Sequence, residues 1–199
     1  MDRAMFRFLR EAKCRMQIRP LIEQAKYLLA HHAIQASPGD WDDPYLLGYY
    51  NGATLGLLQA GSEGLVDAKS IGVVQAWGWE ELTTLPRDRF LVLTASLFRT
   101  HPDEWNAGFQ AGILWSTLST EGIDQSAPKV REALEASRTL AILSRAGGDE
   151  LRNAAAFVFQ RDWFGYLANK VGESALSVDL FKGERGHAPI PLPRPAARA

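Results

Sequence analysis

The chain has 199 residues, of which 46% are apolar and 23% charged, with a formal net charge of −1 and a single cysteine, Cys14. These values are typical of a globular protein and provide no overall charge that would attract a polyelectrolyte such as nucleic acid. One cysteine excludes a disulfide within the chain and fits a reducing compartment. No apolar run is long enough to predict a membrane span, and the first residues lack the apolar core of a secretory signal. We therefore expect a cytoplasmic protein.

Turn residues and apolar periodicity predict helices along most of the chain. Pro20 suits the first turn of a helix, so residues 3–17 and 20–34 are predicted as two separate helices. Asp43-Pro44 is a strong helix start, and Asp103 is expected to cap a later helix in the same way. The remaining helices are predicted over residues 43–60, 65–83, 86–99, 126–146 and 149–170, with a further helix beginning at Asp103. Residues 71–74 and 90–93 are also compatible with strands.

A ten-residue pattern occurs twice in the chain, sixty positions apart, beginning at Asp43 and at Asp103. Both copies read Asp-x-aromatic-x-x-Gly-aromatic-x-x-Gly. Residues 26–29 also match residues 89–92, and residues 62–65 match residues 120–123. Three matches in the same order indicate a duplicated supersecondary unit, and a third, degenerate copy beginning at Asp149 is an open alternative.

The predicted fold class is all-α: two tandem helical-hairpin repeats of about 60 residues, a C-terminal helical pair and an extended Pro-rich tail. Residues 1–182 are expected to form a single helical domain. Within it, repeat one covers about 20–65, repeat two about 83–123 and the C-terminal helices about 126–170. Residues 183–199 are rich in Pro, Gly, Ala and Arg, which predicts a flexible tail.

Small residues recur every fourth position in both motif helices: Gly48, Gly52 and Gly56 in the first, and Gly108, Gly112 and Ser116 in the second. Each glycine inside a helix costs roughly 0.8–1 kcal/mol relative to alanine, so a compensating contact is expected. Close packing of the two helices, a subunit interface and a ligand groove are the three alternatives. The residues predicted to carry an interaction are Gly48, Tyr49, Gly52, Gly108, Phe109, Gly112, Trp77 and Trp79, and the last two are expected to be partly exposed.

Motifs for chemistry are scarce. His31, His32 and His101 lie near aspartates in sequence, but no metal-ligand spacing is present, so no metal and no cofactor are predicted. Cys14 lies on a basic helix that could lower the pKa of its thiol, and a packed thiol is the alternative. Six basic residues form a local run in and just after that helix: Arg3, Arg7, Arg10, Lys13, Arg15 and Arg19. A solvated face is preferred over a nucleic-acid site for them, so no nucleic-acid partner is expected.

The Gly48-Tyr49-x-x-Gly52 segment resembles the motif helices of small phage or prophage accessory proteins, in about twenty residues per copy. The sequence predicts a non-enzymatic protein–protein interaction module that binds a second copy of itself or another protein. The alternative is an enzyme or small-ligand binder with a site between the duplicated halves, near Tyr49, Phe109 and the histidines.

Overall fold

The computed structural model of the chain describes residues 3–62, 67–120 and 155–172, with the backbone only for residues 3–8, 61 and 62. All regular secondary structure in these residues is helical, which confirms the predicted all-α class. The helices are α1 (Arg3–His31), α2 (Pro44–Ser62), α3 (Ala68–Thr83), α4 (Arg87–Thr100), α5 (Pro102–Ser119) and α6 (155–171). Helix α6 contains a π-helical turn, Gln160–Phe164. None of the described helices is long and apolar enough to cross a membrane.

Helix α1 is continuous through Pro20, so the prediction of two helices divided at this residue is wrong. A proline inside a helix removes one backbone hydrogen bond, at a cost of about 3 kcal/mol. Burial on both sides of Pro20 offsets this cost, because Ile18, Leu21 and Ile22 are all at most 2% exposed. The strand alternative at residues 71–74 and 90–93 is excluded, since both stretches are helical, as the helices predicted over 65–83 and 86–99 require.

Helix α2 lies at the centre of the described residues and packs against α1, α3, α4 and α5. Its start is the one that the sequence predicts: the Asp43 carboxylate accepts hydrogen bonds from the backbone N–H groups of Tyr45 (2.9 Å) and Leu46 (3.1 Å). Helix α5 differs, because its first residue is Pro102 and its N-cap is His101. Asp103 lies in the first turn, so the prediction that it caps this helix is wrong.

The main core is built around aromatic rings carried by different helices. Trp79 of α3 contacts Tyr50 of α2, Phe90 of α4 and Trp41 of the α1–α2 connection, with ring centroids 5.0–5.7 Å apart. Trp41 also lies 6.1 Å from Trp163 of α6. Trp41 is 3% exposed, and the other four side chains are at most 1% exposed. Aromatic burial of this extent is the main stabilising contribution that the core can make.

A buried polar network fixes α3 against α2. The Tyr50 hydroxyl donates to the backbone oxygen of Gln75 (2.8 Å), and the Gln75 side-chain amide donates to the Thr54 hydroxyl (2.9 Å) and to the backbone oxygen of Asn51 (3.2 Å). Hydrogen bonds of this kind offset the free-energy cost of removing buried polar groups from water. The network therefore sets the rotation of α3 about its axis.

Several predictions fall outside the described residues. They are the helix over 126–146, the helix start and third motif copy at Asp149, and the Pro-rich tail over 183–199.

Candidate interaction surface

The two glycine ridges face each other in the closest helix–helix contact of the described residues, between α2 and α5. A Cβ atom placed on Gly48 would overlap the backbone oxygen of Trp105, and one on Gly52 would overlap the backbone oxygen of Phe109. A Cβ on Gly56 would meet the Ser116 side chain, with the Ser116 Cβ only 2.8 Å away. The contact is therefore backbone against backbone, and no side chain of any size fits between the helices at Gly48 and Gly52.

The contact is reciprocal. A Cβ on Gly108 would overlap the backbone oxygen of Tyr45, and one on Gly112 would overlap that of Tyr49 and lie 2.6 Å from the backbone nitrogen of Ala53. Each glycine therefore lies against a backbone oxygen of the other helix, and that oxygen belongs to the residue three positions before the equivalent glycine. Gly48, for example, lies against Trp105, three positions before Gly108. Residue numbers increase in the same direction along both helices, so α2 and α5 run parallel, related by an approximate two-fold axis along the bundle.

This geometry changes the interpretation of the predicted interaction residues. Gly48, Gly52, Gly108 and Gly112 are buried inside the chain, so they are not available to a second protein. The ligand groove is excluded at the same positions, because the two backbones leave no room there. Of the three alternatives, close packing within the chain is the one the contact shows.

The predicted aromatic residues divide between core and surface. Tyr49 and Trp79 are fully buried, which corrects the expectation that Trp79 is partly exposed. Gly78, the residue between the two tryptophans, explains the difference: a Cβ there would lie 2.7 Å from the Ile18 side chain, so α3 turns this face into α1. Trp77 is half-buried with the Arg15 guanidinium 5.2 Å above its ring, and Phe109 is half-buried against Trp105.

A polar junction joins the start of α2 to α6. Besides its capping role, the Asp43 carboxylate accepts hydrogen bonds from the Lys170 ammonium (2.6 Å) and the Tyr166 hydroxyl (3.3 Å), and the Asp43 side chain is 7% exposed. The Tyr166 ring stacks on Tyr45 at 4.5 Å. Burial, followed by the negative charge of Asp43, raises the pKa of Tyr166 above its ordinary value. These groups are paired with one another, so the junction holds the helices together.

The Tyr49 hydroxyl is buried and has no hydrogen-bond partner among the residues that the structure describes. Burial raises the pKa of Tyr49 well above 10, with a smaller contribution from the Asp162 carboxylate. Asp162 is paired with Arg161, the distance from its oxygen to the Arg161 Nε being 2.6 Å. A neutral phenol with a raised pKa is a poor general base at neutral pH, so the hydroxyl gives no support to the enzyme alternative.

The basic residues of α1 are partly engaged within the chain. Arg10 pairs with Asp67 at 3.5 Å, Arg19 pairs with Glu23 at 3.6 Å, and Arg15 covers Trp77. The side chains of Arg3 and Arg7 lie outside the described set. The Cys14 thiol is 2% exposed, and its burial raises its pKa, so the hypothesis of a lowered pKa is wrong. Desolvation outweighs the nearby positive charges in this case.

The histidines lie at helix ends. His31 stacks on Tyr27 with a centroid distance of 5.5 Å, and His32 lies 5.0 Å from the ring of Phe164 in α6. His101 lies at the start of α5, where its Nδ1 is 2.8 Å from the Thr100 hydroxyl. Over the residues that the structure describes, no three His, Cys, Asp or Glu side chains are grouped closely enough to hold a metal ion.

The outer part of α4 carries three of the six exposed large hydrophobic residues that are found among the described residues. Phe90 is the only fully buried side chain of this helix, and Leu93 and Leu97 pack partly against the core. Three further large apolar side chains of α4 are exposed: Leu91 is 52% exposed, Val92 68% and Phe98 49%. Large apolar side chains grouped at such exposure mark partner sites more often than isolated ones do.

An aromatic row continues this face onto α5. The ring of Phe98 meets Trp105 edge-on at 5.1 Å, and Trp105 stacks on Phe109 at the same distance. Trp105 and Phe109 are half-buried, so both side chains stay partly accessible. The outer face of α4 together with this row is called the α4 surface below.

Sequence reasoning missed the α4 surface. The signal was present, because six of the fourteen residues of α4 are large and apolar and they surround the helix: Phe90, Leu91, Val92, Leu93, Leu97 and Phe98. A helix at the edge of a bundle can bury only one stripe, so a helix that is apolar on all sides must expose some of these residues or find a partner.

Comparison of the chain with protein-family models, with curated proteins and with solved structures gave no match.

Proposed function

We propose that this protein is a non-enzymatic helical module that binds protein surfaces through the α4 surface. The observation that carries the proposal is the exposure of Leu91, Val92 and Phe98, three large apolar side chains on the outer part of a single helix. Leu91 and Phe98 are seven residues apart, which is one of the spacings of apolar anchors in helix-in-groove recognition. The cytoplasm is the compartment we propose for this activity, in keeping with the buried free thiol of Cys14.

We also propose that the two motif-bearing units arose by duplication. The reciprocal contacts of Gly48 with Trp105 and of Gly108 with Tyr45 support this, because equivalent residues play equivalent parts in both helices. In this view the glycine ridges join the two units, and the binding surface belongs to the helix that precedes the second motif. The alternative of an active site between the halves has no supporting contact, since the facing backbones touch.

A photo-crosslinking amino acid in place of Ser96 tests the module proposal. Ser96 is exposed on α4, one turn from Val92. We expect irradiation in cells to give adducts of discrete mass, which disappear when Val92→Asp is added. The same crosslinker at Met16, which is 65% exposed on α1, is the matched control and should give no such adducts. Equal labelling at both positions, or adducts that persist with Val92→Asp, would contradict the proposal.

A further inference from the structure

The outer face of α4 has a pattern that is complementary to itself. Asp88, Val92, Ala95 and Arg99 are spaced at i, i+4, i+7 and i+11, so they form one stripe along the helix. All four are exposed. An acidic residue begins the stripe, a basic residue ends it, and a small residue lies near its middle. The order matters because an antiparallel copy of the stripe would reverse it.

We propose that the α4 surface binds a second copy of the chain, with the two α4 helices antiparallel about a two-fold axis that passes between Val92 and Ala95. This inference depends on the proposed function and names its partner. In this register Asp88 of each copy faces Arg99 of the other, and Val92 faces Ala95. A two-fold contact is self-complementary by definition, and this stripe satisfies that condition.

The apolar flank of the stripe fits the same arrangement. Leu91 and Phe98 lie on one side of it, and the two-fold axis brings the flanks of both copies to the same side. Leu91 of one copy then lies beside Phe98 of the other, within about 3 Å along the helix axis, given a rise of 1.5 Å per residue. Ala95 has the smallest side chain of the stripe, which lets the helices approach closely at the centre. The exposed apolar residues and the two charges are therefore explained by one contact.

Both charges also suit the helix that carries them. Asp88 lies in the first turn of α4 and Arg99 in the last, so each charge interacts favourably with the helix dipole. Arg99 is oriented along the helix by a hydrogen bond from its Nε to the backbone oxygen of Ala95 (3.1 Å). In an antiparallel pair the dipoles of the two helices also oppose each other favourably.

Sedimentation of the full-length chain over a dilution series tests the contact. We expect the wild-type chain to pass from a dimer to a monomer of 22.0 kDa on dilution through the micromolar range. Val92→Asp should remain a monomer at every concentration. Met16→Asp is the matched control, because it places the same charge at an equally exposed helical residue of α1, and it should dimerise as the wild type does. A wild-type chain that stays monomeric, or Val92→Asp that dimerises normally, overturns the proposal.

Charge exchange tests the register. Asp88→Arg and Arg99→Asp should each weaken the dimer roughly five- to thirtyfold, because each brings two like-charged pairs together. An equimolar mixture of the two variants should form mixed dimers, since every facing pair is then of opposite charge, and the double variant should regain the wild-type affinity. Circular dichroism checks that each variant is folded. Folded single variants that do not pair in the mixture overturn the antiparallel register.

The two proposals fail separately. If the chain is monomeric but the crosslinker at Ser96 still gives a Val92-dependent adduct with another protein, the self-docking proposal is wrong and the interaction module stands. If no adduct forms at Ser96, both are wrong.

Discussion

Helices α2 and α5 carry the same ten-residue pattern, yet they occupy different environments. The side of α2 that faces away from α5 is covered by α1, α3 and α4, and Leu46, Leu47, Tyr49 and Ala53 are completely buried. Helix α5 is buried mainly along its glycine ridge, and its first residues are exposed. The shared pattern therefore specifies the contact between the two helices. What surrounds that contact is decided by the neighbouring segments, which differ.

The helix starts show the same contrast on a smaller scale. The first copy reads Asp43-Pro44 and the second reads Pro102-Asp103. Reversing these two residue types moves the aspartate from the capping position into the first turn. Asp43 consequently gains two backbone N–H partners and Lys170, while Asp103 stays exposed.

The largest effect is expected from filling the glycine contact. Gly52→Leu and Gly112→Leu should each reduce the free energy of unfolding by more than about 3 kcal/mol, above the usual range for overpacking, because the new side chain meets backbone. We expect similar losses for both although α5 is the more exposed helix, since they share one contact. Chemical denaturation measures the change.

Gly72→Ala is the control for the glycine variants. Gly72 lies within α3, and a Cβ there would have no neighbour within 4 Å. This change should raise the stability by about 0.5–1 kcal/mol, through helix propensity alone. A tolerated Gly112→Leu would show that α5 can move away from α2, and would break the equivalence of the two ridges.

A medium effect is expected at the helix starts. Asp43→Ala should cost about 2 kcal/mol, because it removes a cap and leaves Lys170 without its partner. Asp103→Ala should cost less than about 1 kcal/mol, since only a favourable interaction with the helix dipole is lost. Asp43→Asn keeps a capping side chain and should give an intermediate loss in thermal denaturation. Equal losses at Asp43 and Asp103 would show that the two starts are equivalent after all.

The smallest effect concerns the histidines that precede the two motif helices. Burial, and then the charge of His31, lower the pKa of His32 below 6.5. A base with a lowered pKa in the folded state binds fewer protons there than in the unfolded chain. Its contribution to stability is therefore complete above pH 6.5 and is lost as the pH falls through 6.5 towards the lowered value.

Histidine NMR titration and denaturation at several pH values measure this effect. We expect His32 to titrate below 6.5, and His32→Gln to lose less stability than the wild type between pH 7 and pH 5. A His32 pKa at or above 6.5 would contradict the burial against Phe164.

Much of the fold could be predicted because local signals were strong. The Asp43-Pro44 pair correctly predicted where α2 starts. The four-residue spacing of small residues indicated close packing of the two motif helices, which was one of three alternatives. The continuity of α1 could not be predicted, since local rules favour a new helix at Pro20 and the burial that overrides them is a tertiary effect. The burial of Trp79 is similar, because Gly78 allows an approach whose partner, Ile18, lies sixty residues away.

The α4 surface was missed for a different reason. Phe90 and Leu91 are adjacent apolar residues, and sequence does not say which of them faces inward. Phe90 matches Tyr27 in the proposed duplication, yet Phe90 is 1% exposed and Tyr27 is 64% exposed. The sequence repeat therefore predicts which helices the motif residues contact. It does not predict which side of the preceding helices faces the core.

The glycine contact also couples the folding of distant parts of the chain. Helices α2 and α5 contain five interior glycines, which together cost on the order of 4–5 kcal/mol in helix propensity. Neither helix is expected to persist alone, and the contact that stabilises both closes a loop of about sixty residues. Opening one of them removes the support of the other, so the two should exchange their amide hydrogens as a single cooperative unit. A local fluctuation at the exposed start of α5 is in this way transmitted to the centre of the bundle.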